Sequence, residues 1–189
     1  MKKNYFEYLK ERSWKGKLYR NYFLYPILSK YFKKEDYILD FGCGIGDYLE
    51  FRKNTVGADI NEDNVAYCNS NGLEAKIIQD NKIDFGNEVF AGVMMDNVLE
   101  HIVDPAESIK EITRVLKKNG LLLVGVPGAK GFNRDIDHKI FYSEESLVSL
   151  MNQKGYEYLK TVYTPFLIDS DYLSNNLKIY CVYVLFKKI

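Results

Sequence analysis

The fold is decided by the stretch ILDFGCGIGD, residues 38–47. Residues 37–41 are apolar enough for a buried strand, and a Gly-x-Gly-x-Gly loop and a short helical stretch over residues 47–53 follow them. Glycines let a backbone turn tightly and approach a ligand closely, beside the N-terminus of the next helix. The stretch therefore predicts a strand, a ligand-binding loop and a helix in succession.

The acid before this loop narrows the choice of ligand. A dinucleotide fingerprint has a glycine three positions after its second glycine, where this chain has Asp47. Asp40 stands at the strand end, where its charge would repel a pyrophosphate but attract an ammonium group. S-adenosylmethionine carries an α-amino group and a sulfonium and no phosphate. The loop therefore favours S-adenosylmethionine over a dinucleotide.

Two further acids follow strand ends. Asp59 ends the second predicted strand, where a carboxylate can accept hydrogen bonds from both ribose hydroxyls. Asp80 and its neighbour Asn81 follow the third, where an acid can accept from an adenine amino group. The carboxyl ends of parallel strands line one crevice, so we expect these acids to share a ligand. The structural alternatives are a loop acid at Asp40, a helix cap at Asp59 and a turn former at Asp80.

The rest of the chain alternates between strand and helix patterns. Strands are expected over residues 55–59, 74–79, 90–96, 121–126, 156–163 and 179–186, and helices over 61–72, 104–118 and 143–155. This alternation predicts a mostly parallel sheet with helices on both faces. Residues 127–142 and 164–178 are expected to be loops, and the second loop indicates an antiparallel pair of strands at one edge.

The length of 189 residues fits one compact domain. We expect residues 1–35 to form a helical cover and residues 37–189 to form a Rossmann-like core. The whole chain, 1–189, is then a single domain.

The motifs resemble those of class I S-adenosylmethionine-dependent methyltransferases, in particular the small single-domain bacterial group. The resemblance covers about residues 37–160 and rests on ILDFGCGIGDY, VGADI, IIQDNKIDF, VMMDNVLEHIVDP, ITRVLKKNGLLLVGVP and DHKIFYSEESLVSLMNQKGY. It implies a doubly wound α/β fold with a seven-stranded sheet in the order 3-2-1-4-5-7-6, strand 7 being antiparallel. It also implies S-adenosylmethionine as donor and S-adenosylhomocysteine as product. The chain departs from the group at Phe90-Ala91, where Phe-Asp is common, and in its short helix after the glycine loop.

The donor-binding residues that we expect share these motifs: Asp40, Gly42, Cys43, Gly44, Asp59, Ile60, Asp80, Asn81, Asp96 and Asn97. The resemblance places the ribose-binding acid at Asp59 and the adenine-side acid at Asp80. Asp96 and Asn97 end the fourth strand, where they could contact the donor or the acceptor. The structural alternative is that they cap the turn that follows.

The two histidines are the candidates for a catalytic base. His138 follows the fifth strand in a loop that is expected to face the crevice, although it could merely anchor that loop. His101 follows the fourth strand, where it could instead bind backbone at the start of a helix. The spacing shows no Asp/His cluster of metal ligands, so we expect no metal.

The net charge and the length of the apolar runs limit which partners we expect. The 26 basic and 26 acidic residues cancel, so no overall field attracts nucleic acid. The longest apolar runs are far shorter than a membrane span. Three widely spaced cysteines argue against a disulfide framework, and we expect a cytoplasmic protein.

The N-terminal region is both aromatic and basic. Its aromatic residues could pack on the core or cover the pocket; they include Trp14, Tyr19, Tyr22 and Phe23. Its basic residues could form a solvated face or contact a membrane surface; they are Lys10, Arg12, Lys15, Lys17 and Arg20.

The sequence thus predicts methyl transfer to a small molecule or a glycan precursor, with oxygen as the first choice of acceptor atom. One alternative is a module that binds the donor without catalysis. A nicotinamide-dependent oxidoreductase is disfavoured by Asp40 and by the missing third glycine of the loop. Tyr142, which lies in the loop after the fifth strand, is followed four places later by Ser146 and not by a lysine.

Overall fold

A mixed β-sheet forms the centre of the protein. The computed structural model describes residues 5–11 and 13–189; Met1–Asn4 and Arg12, one of the basic residues named above, lie outside the described residues. Within the described part the sheet has eight strands: β1 Ile38–Phe41, β2 Thr55–Asp59, β3 Ala75–Gln79, β4 Lys82–Ile83, β5 Phe90–Asp96, β6 Leu116–Pro127, β7 Tyr156–Thr164 and β8 Cys181–Lys188. Their order is β4-β3-β2-β1-β5-β6-β8-β7.

The predicted topology is confirmed with one addition. Strands β1, β2, β3, β5 and β6 pair in parallel, and β8 runs antiparallel to both of its neighbours, β6 and β7. The added strand is β4, a two-residue strand that pairs antiparallel with β3. Asp80 and Asn81 form the turn between them, with φ values of 50° and 58°. Positive φ at both central residues is typical of a tight hairpin turn, so the turn-forming interpretation of Asp80 is supported.

The helices occupy the connections. Their bounds are α1 Tyr5–Lys10, α2 Trp14–Tyr19, α3 Tyr25–Ser29, α4 Asp47–Phe51, α5 Glu62–Ser70, α6 Ala106–Val115, α7 Ala129–Phe132, α8 Glu144–Gln153 and α9 Asp171–Asn176. A π-helical segment, Arg20–Leu24, joins α2 to α3, and a 3-10 turn spans Leu99–His101. Helix α5 is capped by Asn61, whose Oδ1 accepts a hydrogen bond from the backbone N–H of Asp63 at 2.9 Å.

Three expected boundaries were wrong. Helix α6 ends at Val115 and not near residue 118, because Leu116 already pairs with Phe90 as a buried part of β6. The expected loop 164–178 contains α9, whose first turn is capped by the Ser170 hydroxyl. The expected loop 127–142 contains α7. Helices of four to six residues are too short to show a periodic apolar pattern.

Helices cover both faces of the sheet, because successive residues of a strand point to opposite sides. On one side Leu39 and Val93 of the sheet pack with Ile112 of α6 and Met151 of α8. The opposite side carries Ile38, Met94, Leu123 and Tyr183, which pack with Leu24, Tyr25, Leu28 and Phe32 from the N-terminal region. The N-terminal helices are therefore fixed to the sheet by a buried apolar layer.

The N-terminal aromatic residues divide by position. Tyr25 enters the core, whereas Trp14 and Tyr22 are 68% and 80% exposed. The interpretation that the N-terminal aromatic residues pack in the core is therefore wrong for Trp14 and Tyr22. Among the described residues, no helix has both the length and the apolar character needed to cross a lipid bilayer.

Candidate active site

A cleft of about 930 Å³ opens where β1, β2 and β5 end. The glycine loop, the strand-end acids and the N-terminal helices line it, together with part of the segment that precedes β8. Open α/β sheets bind ligands at this edge, outside the carboxyl ends of their strands. The cleft is within the size range of sites for small molecules.

The glycine loop is held against β2 by its backbone. The N–H groups of Gly42 and Cys43 both donate to the carbonyl oxygen of Ala58, at 2.7 and 3.1 Å. Gly42 has a φ of +82°, and a Cβ there would lie 2.4 Å from a methyl group of Val98. Only glycine fits this position without strain or displacement of Val98.

Asp59 joins the loop to the second strand. One carboxylate oxygen accepts from the N–H of Gly44 and the other from the N–H of Asn61, both at 2.8 Å. A carboxylate oxygen can accept a second bond, so Asp59 can hold the loop and still accept from ribose hydroxyls. Ile60, which is 78% exposed, also lines the cleft and offers an apolar surface next to Asp59.

Asp40 lies buried at the base of the cleft. Burial raises the pKa of its carboxyl well above the ordinary value, and the nearby carboxylates of Asp96 and Asp59 raise it further. A cation beside Asp40 would relieve both effects. The ammonium group of S-adenosylmethionine is such a cation, whereas a phosphate would add to the repulsion. The residues present therefore fit this donor.

Asp96 and Asn97 lie together in the cleft. Asp96 Oδ1 accepts from the side-chain N–H of Asn97 at 2.7 Å and from the hydroxyl of Tyr183 at 2.8 Å. Neither caps the following 3-10 turn through its side chain, so the capping interpretation was wrong. Tyr183 was missed in the sequence; it reaches Asp96 because Gly125 stands opposite it on β6, where a Cβ would lie 2.3 Å from its ring.

Asp80 and Asn81, the residues expected beside adenine, have different positions in the hairpin turn. Asn81 lines the cleft, while Asp80 sits at the exposed end of the turn between β3 and β4. The contact of either side chain with adenine stays a prediction.

The two histidines meet although 36 residues separate them in the chain. Their ring centroids are 4.6 Å apart, but only His101 lines the cleft. His138 is 9% exposed, and its Nδ1 lies 2.8 Å from the carbonyl oxygen of Phe132. A carbonyl oxygen only accepts, so Nδ1 carries a proton, and in the neutral ring the lone pair of Nε2 is free. Burial lowers the pKa of His101, and the neighbouring His138 lowers it further.

Glu100 is a member of this cluster that the sequence reasoning missed. Its side chain is 1% exposed, and neither carboxylate oxygen has a hydrogen-bond partner on another described residue. Burial raises its pKa to about 8. Oε1 lies 3.8 Å from Nε2 of His138. The adjacency of Glu100 to His101 in the sequence was a signal, but the approach of His138 was not visible there.

The family match agrees with this geometry. Residues 11–161 match the family described as Methyltransferase domain. The match includes the glycine loop, Asp59, the Glu100–His101 pair and His138. It favours a methyltransferase over the nicotinamide-dependent alternative.

Curated relatives show moderate similarity. An uncharacterised protein of Methanocaldococcus jannaschii is 22% identical over 139 residues, 68% of each chain. A probable S-adenosylmethionine-dependent methyltransferase of Mycobacterium tuberculosis is 28% identical over 131 residues, 63% of this chain and 48% of that protein. The probable tRNA methyltransferase 9B of Homo sapiens is 30% identical over 105 residues, 53% of this chain and 23% of that protein. The matches thus span from 23% to 68% of the length of these relatives.

Solved structures share the fold over nearly the whole chain. An S-adenosylmethionine-dependent methyltransferase of Thermotoga maritima, described as a possible histamine N-methyltransferase, has a TM-score of 0.72 at 19% identity and covers 98% of both chains. One from Methanosarcina mazei has a TM-score of 0.67 at 24% identity and covers 88% of this chain and 99% of its own. The family match, this fold and the acid-lined cleft agree. The chain belongs to the methyltransferase-domain family of S-adenosylmethionine-dependent enzymes.

Proposed function

We propose that the protein transfers a methyl group from S-adenosylmethionine to an oxygen atom of a small molecule or a glycan precursor. The observation that carries the proposal is the position of His101, whose ring lines the same cleft as Asp40 and Asp59. The cleft therefore holds both a base that could take a proton from the acceptor and the acids that could bind the donor.

The donor is held by the strand-end residues. Asp40 pairs with its ammonium group, Asp59 accepts from the ribose hydroxyls, and Ile60 packs on the adenosyl part. When bound, S-adenosylmethionine supplies a methyl carbon whose bond to sulfur breaks, with its electron pair left on sulfur, as the bond to the acceptor oxygen forms. Holding two reactants in line accounts for much of the rate in such a displacement.

His101 accepts the proton of the acceptor hydroxyl. Its lowered pKa keeps the ring neutral near physiological pH, and a neutral imidazole has a lone pair available. The sequence favoured His138 as this base, but its Nε2 faces Glu100 at 3.8 Å and His138 does not line the cleft. We therefore assign His101 as the base that accepts the proton, and His138 as the residue that positions the ring of His101.

The acceptor enters beside the N-terminal helices. The exposed apolar side chains of these helices are Trp14, Leu18, Tyr22 and Phe23, and Lys15 stands next to the first of these rings. Exposed rings beside a basic residue suit an amphipathic acceptor and a peripheral contact with a membrane surface. The zero net charge gives no reason to expect nucleic acid as the acceptor. The free cysteines fit a reducing compartment, and we place the protein in the cytoplasm.

The test is a methyl-transfer assay on a panel of hydroxylated small molecules and sugar precursors, read as formation of S-adenosylhomocysteine. We expect His101→Gln to lower the rate by about 10²–10⁴-fold and to leave donor binding within a few-fold. Glu62→Gln, an exposed change at the start of α5, is the control and should behave as the wild type. Donor binding without transfer to any acceptor would support the non-catalytic module, and transfer only to nitrogen acceptors would overturn the oxygen assignment.

A further inference from the structure

Two imidazoles and a carboxylate converge beside the cleft. One ligand atom from each of Glu100, His101 and His138 lies within 4.8 Å of the other two. Glu100 and His138 are buried at their side chains, whereas His101 faces the cleft. The sequence spacing led us to expect no metal, because residues 101 and 138 approach only through the fold.

The buried carboxylate is the observation that calls for a ligand. Both oxygens of Glu100 lack a hydrogen-bond partner on any other described residue. A buried polar group without a partner is costly, and its retention needs a reason such as a bound ion. The 3.8 Å between Glu100 Oε1 and His138 Nε2 is too long for a hydrogen bond. It falls in the range of about 3–4 Å that separates two atoms bound to one Zn²⁺ ion, whose bonds are about 2.0–2.2 Å.

The second nitrogen of the His138 ring is already bonded to backbone. His138 donates through Nδ1 to the carbonyl oxygen of Phe132 at 2.8 Å. Histidines that bind metals commonly donate their other N–H to a carbonyl or a carboxylate, which fixes the ring and its tautomer. In His138 this leaves the lone pair of Nε2 toward Glu100. The ring of His138 is thus held as the ring of a metal-binding histidine would be.

We propose that Glu100, His101 and His138 bind a divalent transition-metal ion such as Zn²⁺, with open coordination positions toward the cleft. Two nitrogen donors and one carboxylate favour Zn²⁺ or a similar ion over Mg²⁺ or Ca²⁺, which prefer oxygen ligands. Asp135, whose Oδ2 is 4.0 Å from Nε2 of His138, is near enough to contribute a further oxygen after a small movement.

The open positions suit an oxygen of the methyl acceptor, and this role rests on the proposed oxygen methylation. A hydroxyl bound to the ion has a lowered pKa, so that its proton passes to water and the oxygen stays on the ion as the nucleophile. His101 then serves as a ligand, and in the metal-free protein it accepts the proton directly.

The test measures metal binding without donor or acceptor, so it is independent of methyl transfer. The protein is stripped with a chelator and titrated with Zn²⁺ by calorimetry, and with Co²⁺ by visible absorption. We expect one equivalent to bind. Glu100→Gln, which keeps the side-chain volume, should weaken binding by more than the roughly 10–100-fold that loss of an outer-shell partner costs. Glu107→Gln, an exposed change on α6, should bind as the wild type does.

X-ray absorption of the Zn²⁺-loaded wild type covers the case in which Glu100→Gln fails to fold. It should show two imidazoles and oxygen around the ion. Failure of the wild type to bind one equivalent, unchanged binding by a folded Glu100→Gln variant, or sulfur ligands in the absorption spectrum would each overturn the proposal. If metal binds but no acceptor is methylated, the proposed function fails and the metal site stands.

Discussion

The carboxylate of Asp59 accepts a hydrogen bond from the backbone N–H of Gly44 at 2.8 Å, and this bond ties the end of β2 to the glycine loop. Its other oxygen accepts from the N–H of Asn61 at the start of α5. One side chain therefore positions both backbone segments that border the expected ribose site. The loop geometry and the proposed ribose contact depend on the same residue.

Asp59→Asn should weaken S-adenosylmethionine binding. An amide has one acceptor oxygen and no charge, so it can hold only part of the network. Hydrogen bonds to charged groups contribute about 1.5–3 kcal/mol, so we expect a loss of roughly 10–100-fold in affinity. Calorimetric titration measures this. The Glu62→Gln control should retain wild-type affinity, and an Asp59→Asn variant that did so as well would remove Asp59 from the donor site.

Donor binding should depend on pH through Asp40. Burial and neighbouring acids raise the pKa of Asp40 in the free protein above its ordinary value of 3.8. The ammonium group of the donor favours the carboxylate, so binding lowers this pKa and releases a proton. Affinity should therefore rise with pH from the ordinary value up to the raised pKa, by as much as about tenfold per pH unit.

Calorimetry in buffers of different ionisation enthalpy counts the released proton. In Asp40→Asn both the proton release and the pH dependence should vanish, and the donor should bind more weakly. Proton uptake by the wild type would contradict an ion pair at Asp40.

The same burial gives a prediction for stability. Because the pKa of Asp40 is higher in the folded than in the unfolded state, its ionisation opposes folding. This cost is absent in acid below the ordinary pKa, where both states are protonated, and it grows as the pH rises toward the folded-state pKa. Asp40→Asn should therefore raise the melting temperature of the donor-free protein at neutral pH, with a gain of about 0.5–2 kcal/mol. Thermal unfolding at two pH values checks this, and an equal effect in strong acid would rule out the ionisation as its cause.

The strand-end acids Asp40 and Asp59 could be placed from the sequence, because parallel strands bring their carboxyl ends to one edge. The strand–helix alternation likewise sufficed for a mostly parallel sheet with helices on both faces, whereas the order of the seven predicted strands came from the resemblance to the methyltransferases. Contacts between side chains far apart in the chain could not be placed in this way. The approach of Tyr183 to Asp96 depends on the small Gly125 on a neighbouring strand, and the position of His138 beside Glu100 depends on the path of the loop before it.

Gly42→Ala should disrupt the loop through backbone strain and through a clash of the new Cβ with Val98. The matching substitution at Gly72 measures the backbone strain alone. Gly42 and Gly72 have similar φ values, +82° and +74°, but a Cβ at Gly42 meets Val98 at 2.4 Å whereas nothing lies within 4 Å of one at Gly72. Gly72→Ala should cost only the backbone strain of about 1–2 kcal/mol. Gly42→Ala should cost more than this and should also weaken donor binding.

Chemical denaturation and donor titration of the two variants give the comparison. Equal losses of stability would show that Val98 moves without cost. Unchanged donor affinity in Gly42→Ala would mean that the loop does not border the donor.

The central claim is that the acid-lined cleft takes S-adenosylmethionine, and direct titration of the wild-type protein tests it. S-adenosylmethionine and S-adenosylhomocysteine should each bind with one-to-one stoichiometry, while NAD should show no saturable heat, because its pyrophosphate would meet the carboxylate of Asp40. Binding of NAD in place of both adenosyl ligands, or no adenosyl binding by well-folded protein, would contradict the account.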